Sequence, residues 1–474
     1  MPETETANRP RQLNAVQRAA LWGGPMAAAM TGLGLLGLGQ ATPMAWVAGL
    51  TVWVACWWIF EPIEIPLTSL LPLAVLPLVG VLTPAQVGQA YGDPIILLLM
   101  GGFMLSLALE KSGVHRRLAL GMLALTGGRG GRPLVFGFLV TAALLSMWIS
   151  NTATSLMLLP IALAILRDDT DQRVVVAVLL AIAYGASIGG LGTPIGTPPN
   201  LIFMKVYGDS TGDAMSFTDY MRYGVPVVLA MLPVVGWWLA RGLPPGEALQ
   251  LPQPGNWRPA ERRVITVFAL TATAWITRSE PFGGWSVWLD LPQANDATVA
   301  LLACVLLALI PDGDRERPGR LLDWQHAQRT PWGILLLFGS GVALANGFAS
   351  SGLSAWIGTA VGGGLVLLPA LVLIATICLV VTFLTEVTSN TATATLLMPI
   401  LAAAALGAGI DPKLLMIPAA LSASCAFMLP VATGPNAVVF GSNRIAIVEM
   451  ARTGLAVNLL GSVVITMVCW WLLT

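Results

Sequence analysis

The stretch SNTATSLMLLPI at residues 150–161 recurs in closely similar form as SNTATATLLMPI at residues 389–400. Both copies stand in otherwise apolar sequence, and their first serines lie 239 residues apart. Ser, Asn and Thr side chains compete with helix geometry because they bond to nearby backbone groups. We call this repeated polar segment the Ser-Asn-Thr word, and it predicts a break in two related apolar helices.

The composition of the chain indicates that the Ser-Asn-Thr words lie within a membrane protein. Of the 474 residues, 56% are hydrophobic and 10% are charged, with a mean hydropathy of +0.78, whereas soluble domains average about 25% charged residues. Apolar runs of near twenty residues, each long enough to cross a bilayer, recur along the chain. We expect an all-α polytopic membrane protein. The formal net charge of zero gives no reason to expect a nucleic-acid partner.

The apolar runs predict eleven transmembrane helices and two re-entrant hairpins. The hairpins are predicted at 133–167 and 364–404, which are too long for one crossing and are interrupted by the repeated word. The eleven crossings are predicted at 20–39, 41–60, 65–82, 93–110, 174–206, 222–241, 263–278, 296–311, 331–349, 414–442 and 453–473.

Loop charges predict the orientation, because cytoplasmic loops are enriched in Lys and Arg. With a cytoplasmic N-terminus and hairpins that return to their side of entry, 20 of the 24 Lys and Arg residues are cytoplasmic. A hairpin that crossed fully would abolish this bias in the second half of the chain. We therefore expect an inner-membrane protein with its N-terminus in the cytoplasm and its C-terminus outside.

The two halves of the chain repeat each other beyond the opening words. GTPPNLIF from Gly196 is echoed by ATGPNAVVF from Ala432. The repeats comprise the second to sixth and the seventh to eleventh predicted crossings. Each therefore has five crossings, an odd number, so the second copy is expected to be inverted in the bilayer. Inverted repeats around a site at mid-depth are typical of secondary transporters.

The Pro and Gly residues of these later words predict that the helices at 174–206 and 414–442 are broken at mid-membrane. Broken helices expose N–H groups that suit a carboxylate and carbonyl groups that suit a small hard cation. The Ser-Asn-Thr words hold no Lys, Arg or His. An anion bound there would depend on neutral donors and bound cations.

The paired words resemble the divalent anion/sodium symporter family, whose members carry di- and tricarboxylates and in some branches sulfate. The resemblance implies a homodimer in which a scaffold holds a moving transport part, with one substrate site flanked by two sodium sites. No organic cofactor is expected. The resemblance implies the following division: tail 1–18, scaffold 19–132, transport part 133–242, linker 243–262, scaffold 263–363 and transport part 364–474.

The resemblance also assigns residues by position. It implies a first sodium site formed by Ser146, Ser150, Asn151 and Gly196, and a second formed by Thr385, Thr388, Asn390 and Ala432. The substrate carboxylates are expected to contact Asn151, Thr152, Thr197, Ser389, Asn390, Thr391 and Thr433. One departure is Gly434, where the family often has proline. This glycine is expected to loosen the loop and leaves the substrate preference open.

Three other residues have ionisable side chains close to apolar sequence: Glu386, His115 and His326. Glu386 lies one helical turn before Asn390. An acid within a membrane is costly and usually functional, so it is expected either to tune the second cation site or to make a structural hydrogen bond. His115 and His326 are expected to be solvated loop residues.

We therefore expect a sodium-coupled, secondary-active importer of C4-dicarboxylates such as succinate, malate or fumarate, working by an elevator-type motion. The alternatives are a dicarboxylate exchanger without net sodium coupling, or a citrate or sulfate symporter of the same family. An enzyme is not expected, because the chain has no H-E-x-x-H or G-x-S-x-G motif.

Overall fold

A computed structural model describes residues 13–125, 131–166, 170–244, 255–279, 283–316, 318–365 and 368–474. Regular structure in these residues is helical, apart from an isolated β-bridge between Pro311 and Arg320. The all-α prediction is therefore confirmed. Much of the predicted tail 1–18 and linker 243–262 lies outside the described residues.

The first half of the chain forms helices α1 to α12. Their bounds in chain order are Ala15–Gly37, Thr42–Phe60, Ile65–Thr68, Leu71–Leu78, Pro84–Tyr91, Pro94–Ser112, Val114–Leu125, Arg132–Ser146, Asn151–Ile165, Gln172–Gly189, Pro198–Thr211 and Phe217–Ala240. The predicted span 65–82 is split into α3 and α4, each of which starts with a proline near its N-terminus.

The second half forms helices α13 to α23. Their bounds are Pro259–Ile276, Gly284–Trp288, Asp296–Leu309, Trp324–Ala327, Trp332–Ser351, Leu353–Leu365, Ala370–Thr385, Asn390–Ala408, Lys413–Ser422, Gly434–Phe440 and Ile447–Leu473. Within the described ranges, eight helical stretches are long and apolar enough to cross a membrane. The figure of eleven crossings stays a prediction.

Both Ser-Asn-Thr words lie at the turn of a helix pair. Helix α8 ends at Ser146 and α9 begins at Asn151, and in the same way α19 ends at Thr385 and α20 begins at Asn390. Neither word is therefore buried inside an unbroken helix. The second pair begins at Ala370 rather than at residue 364, because α18 continues to Leu365.

The two predicted helix breaks are present. Helix α10 ends at Gly189, a 3₁₀ turn covers Gly190–Gly192, and residues 193–197 are not helical before α11. In the second half, residues 423–433 between α21 and α22 are not helical. The second non-helical segment is thus the longer one, and its backbone groups need more partners from elsewhere in the fold.

Helix α10 is the centre of the first half. All its residues from Val174 to Gly189 are buried, as expected for a helix that is apolar on every side. A Cβ at Gly185 would lie 2.5 Å from the carbonyl oxygen of Leu139, so α10 and α8 pack backbone to backbone. This close packing holds the first helix pair against the first break.

Candidate functional site

One cavity of about 430 Å³ lies where the two helix pairs meet the two non-helical segments. It brings the two repeated words together, because Asn151 and Asn390 both line it. Every predicted substrate residue lines this cavity: Asn151, Thr152, Thr197, Ser389, Asn390, Thr391 and Thr433.

The predicted first sodium site is compact. Ser146 Oγ donates a hydrogen bond to Asn151 Oδ1 over 2.6 Å. A Cβ at Gly190 would lie 2.8 Å from Asn151 Oδ1 and 3.2 Å from the carbonyl oxygen of Gly196. Two of the predicted oxygen ligands therefore converge on one point, where only a glycine leaves them room. Ser150 also lines the cavity, whereas Ser146 is fully buried behind Asn151.

The predicted second sodium site repeats this arrangement. Thr385 Oγ1 lies 2.7 Å from Asn390 Oδ1 and 2.8 Å from the carbonyl oxygen of Ala423. Thr388 and Ala432 line the cavity, and the Thr388 hydroxyl donates to the carbonyl oxygen of Leu384. Like Ser146, Thr385 is buried and does not line the cavity, so it orients the asparagine from behind.

Two further asparagines stabilise the non-helical segments. Asn200 Nδ2 donates to the carbonyl oxygens of Gly190 and Thr193, both over 2.8 Å. Asn436 Nδ2 donates to Ala426 and Leu429 over 3.1 and 3.0 Å. The sequence pattern indicated no role for them, although they end the segments GTPPN and ATGPN. They satisfy carbonyl groups that the broken helices leave without partners.

Glu386 is also a structural partner of the second segment. Its carboxylate oxygens accept hydrogen bonds from the backbone N–H groups of Phe427, Met428 and Leu429 over 2.7, 2.9 and 3.1 Å. The side chain of Asn458 donates to it over 2.7 Å. Of the two roles expected for Glu386, the structural hydrogen bond is therefore observed. The side chain also lines the cavity.

Gly434 permits a close contact that the sequence did not indicate. It is the first residue of α22, and a Cβ there would collide with the hydroxyl of Thr152. The glycine therefore permits close contact between the second break and the first Ser-Asn-Thr word. Loosening of the loop is not needed to explain it.

The electrostatics of the cavity are neutral to negative. No Lys, Arg or His is among the described residues that line it, whereas Glu61 and Glu386 are. The N-termini of α9, α11, α20 and α22 all reach it, and helix N-termini carry positive partial charge and free N–H groups. The described chain contains no cluster of three His, Cys, Asp or Glu residues suited to a metal ion. The cavity therefore offers hydroxyl, amide and backbone groups to its ligands.

A second cavity of about 550 Å³ adjoins the first. Five residues line both cavities: Phe103, Ser106, Ser150, Thr152 and Ile334. The second cavity extends to Glu110, His115 and Arg329, which sequence reasoning did not connect with the site.

The two histidines are not loop residues as expected. His115 lies in α7 and His326 in α16, and His115 Nδ1 is 2.9 Å from the carbonyl oxygen of Leu109.

Long apolar helices around a polar cavity define a multi-pass helical membrane protein. A sequence profile described as citrate transporter matches residues 55–415. The chain belongs to this citrate transporter family.

Similar proteins include the sodium-dependent dicarboxylate transporter SdcS of Staphylococcus saprophyticus, 42% identical over 451 residues, which are 90% of this chain and 85% of that protein. SdcS of Staphylococcus aureus strain MRSA252 is 41% identical over 450 residues, with 90% and 86% covered. The resemblance to the divalent anion/sodium symporter family is thereby confirmed.

Two solved structures share the fold. The Alcanivorax borkumensis YdaH transporter aligns with a TM-score of 0.59 and 15% identity, covering 84% of this chain and 87% of that one. Neisseria gonorrhoeae MtrF aligns with a TM-score of 0.55 and 11% identity, covering 82% and 83%. At these identities the likeness concerns the fold alone.

Proposed function

We propose that this protein is a sodium-coupled, secondary-active importer of small divalent carboxylates, with a C4-dicarboxylate such as succinate, malate or fumarate as substrate. The observation that carries the proposal is that both Ser-Asn-Thr words face one cavity lined by no described Lys, Arg or His. The relatives named as sodium-dependent dicarboxylate transporters support the same substrate and ion.

The charges of the site support sodium as the coupling ion. A dianion in this cavity needs bound cations, because none of the described residues that line it is Lys, Arg or His. The oxygen groups around Asn151 and Asn390 suit a small hard cation. We place one sodium ion with Ser150, Asn151 and Gly196, and a second with Thr388, Asn390 and Ala432. Ser146 and Thr385 orient the two asparagines.

Energetics favour such coupling. Moving one charge across the membrane potential costs about 2.3 kcal/mol per 100 mV, so a dianion entering a negative cell faces roughly twice that. Each sodium ion that enters with it offsets one charge and adds its own gradient. Two sodium ions would make the import electrically neutral, and three would make it voltage-driven.

For the topology, we propose eleven crossings and two re-entrant hairpins in an inverted repeat, in an inner-membrane homodimer with a cytoplasmic N-terminus and an external C-terminus. The matching helix order supports the repeat: the pair α8 and α9, the break, and a long helix α12 are followed later by α19 and α20, a break, and α23.

We further propose an elevator-type motion in which residues 133–242 and 364–474 move as one body against the scaffold. In support, the proposed sodium and substrate residues all belong to these two ranges. Opposite them, the scaffold contributes a mainly apolar wall that includes Phe103 and Ile334. Because all the proposed site residues lie on the moving part, the whole site can be carried from one side of the membrane to the other with its residues still in contact.

Two alternatives concern the same site. An exchanger would swap dicarboxylates without net sodium flux, and a citrate or sulfate symporter would use the same cavity for another anion. The family description as citrate transporter favours testing citrate first.

The test is uptake of radiolabelled succinate by proteoliposomes with an inward sodium gradient, with choline replacing sodium in a parallel sample. We expect uptake that needs sodium and is abolished by Asn151→Ala and by Asn390→Ala. Asn256→Ala, an exposed asparagine outside the site, is the matched control and should leave uptake unchanged. Strong uptake that needs only internal substrate would show exchange. Unlabelled citrate or sulfate that competes better than succinate would reassign the substrate.

A further inference from the structure

The second cavity forms a vestibule next to the substrate site. One wall is the first turns of α9, with Ala153, Leu156 and Met157, just beyond the Ser-Asn-Thr tip. The opposite wall is formed by α6 and by the chain before α17, with Leu107 and Pro331. Because the vestibule shares five lining residues with the site cavity, a ligand leaving the site in this direction passes through it.

Among the described residues, one fixed positive charge lies along this route. Among the described residues that line either cavity, Arg329 is the only Lys or Arg, whereas Glu61, Glu110 and Glu386 are acidic. His115 lies outside the predicted spans, and burial lowers its pKa, which favours the neutral imidazole. Of the described residues, Arg329 is therefore the cationic partner that a dianion crossing the vestibule meets.

Arg329 is held by a partner that is easy to displace. Its Nη2 donates to Glu110 Oε1 over 2.9 Å, and the two side chains are 57% and 33% exposed. Exposed ion pairs of this kind contribute only about 0–1 kcal/mol. A guanidinium group also fits a carboxylate with two parallel hydrogen bonds. A substrate carboxylate can thus replace Glu110 at small cost.

We propose that Arg329 is a transient docking residue for the substrate, where a carboxylate group of the dianion displaces Glu110 on its way between the site cavity and the aqueous phase. Glu110 is the resident carboxylate, and it returns to Arg329 after the substrate has passed. It thereby keeps the arginine from retaining the substrate. This inference rests on the proposed function, because it requires a dicarboxylate substrate.

The two residues have opposite expected effects, and these are confined to one face of the membrane. Labelled succinate uptake is measured in inverted and in right-side-out membrane vesicles, at constant sodium and low ionic strength. We expect Arg329→Gln to raise the KM about threefold or more at the face on which the vestibule opens, with the other face unchanged. Glu110→Gln should lower the KM at that same face. Raising ionic strength with choline chloride should reduce both differences, because salt screens exposed charges.

Matched variants separate docking from general charge. Arg116→Gln removes the same charge from an exposed arginine that lines neither cavity, and it should leave the KM at both faces near the wild-type value. The double variant Arg329→Glu/Glu110→Arg exchanges the two charges. Its KM should lie closer to the wild-type value than the KM of Arg329→Gln does.

The outcomes are distinguishable. If wild-type vesicles import succinate with sodium, and the KM of Arg329→Gln equals that of Arg116→Gln at both faces, the docking role is overturned. The proposed function then stands. If Glu110→Gln raises the KM as Arg329→Gln does, the pair is structural and the proposal is again overturned. If wild-type vesicles take up no dicarboxylate, the proposed function fails and the docking role fails with it.

Discussion

Thr385, the last residue of one helix, donates a hydrogen bond over 2.7 Å to Oδ1 of Asn390, the first residue of the next. Ser146 and Asn151 make the same contact over 2.6 Å in the first half of the chain. In both helix pairs the hydroxyl residue and the asparagine are five residues apart, and the turn that joins the two helices lies between them. Each hydroxyl fixes the orientation of an amide whose oxygen has a second lone pair for a cation.

Removing the Thr385 hydroxyl should weaken sodium binding. In Thr385→Val, Asn390 loses the donor that orients it, and a lost hydrogen bond of about 1 kcal/mol corresponds to about a fivefold change in affinity. We expect the sodium concentration for half-maximal succinate uptake to rise by about that factor, while Thr385→Ser stays near wild type. Thr376→Val, an exposed position on the same helix, is the control. An unchanged sodium dependence in Thr385→Val would contradict the orienting role.

Glu386→Gln should lower stability. The carboxylate accepts from three consecutive backbone N–H groups and from Asn458. A glutamine places an N–H group against at least one of these donors, and an unsatisfied buried donor costs about 1–3 kcal/mol. We expect a lower melting temperature of the purified protein in detergent, with Glu449→Gln as the control. A wild-type melting temperature combined with lost sodium dependence would instead assign Glu386 to the cation site.

Gly434→Ala should weaken succinate uptake. The added methyl group would collide with the Thr152 hydroxyl and push the second break away from the first Ser-Asn-Thr word. We expect succinate uptake to fall about tenfold or more, the effect of roughly 1.4 kcal/mol, measured together with succinate binding to the folded protein. Gly88→Ala, where a Cβ has no atom within 4 Å, should behave as wild type. A wild-type KM for Gly434→Ala would show that the contact is dispensable.

An ion pair joins the proposed scaffold to the proposed transport part. Lys205 Nζ lies 2.6 Å from Asp93 Oδ2 and 2.6 Å from Asp209 Oδ1, and the side chains of Lys205 and Asp93 are largely buried. An elevator motion must break the contact with Asp93. It leaves the contact with Asp209 intact, because Asp209 lies on the same helix as Lys205.

Asp93→Asn should therefore depopulate the observed state, while the asparagine still caps α6. The measurement is labelling of an introduced Leu156→Cys, which lines the vestibule, by a membrane-impermeant maleimide. We expect slower labelling from the vestibule side in Asp93→Asn and unchanged labelling in Asp209→Asn. Equal labelling in the two variants would count against movement between the two parts.

The sequence by itself determined the helical class and the positions of the breaks. These features are local, since apolar runs set the helices and Ser-Asn-Thr and Pro-Asn words interrupt them. The near-constant spacing of the repeat then implied that equivalent words meet. The seven substrate residues that the family resemblance implied all line one cavity.

Only the tertiary structure decided which distant groups satisfy one another. Glu386 finds backbone donors 41 to 43 residues away and Asn458 72 residues away, and Arg329 meets Glu110 across 219 residues. Gly434 is required by its contact with Thr152, not by its own loop. No local pattern encodes such pairs, because packing of whole helices brings them together, and each buried polar group must then find a partner.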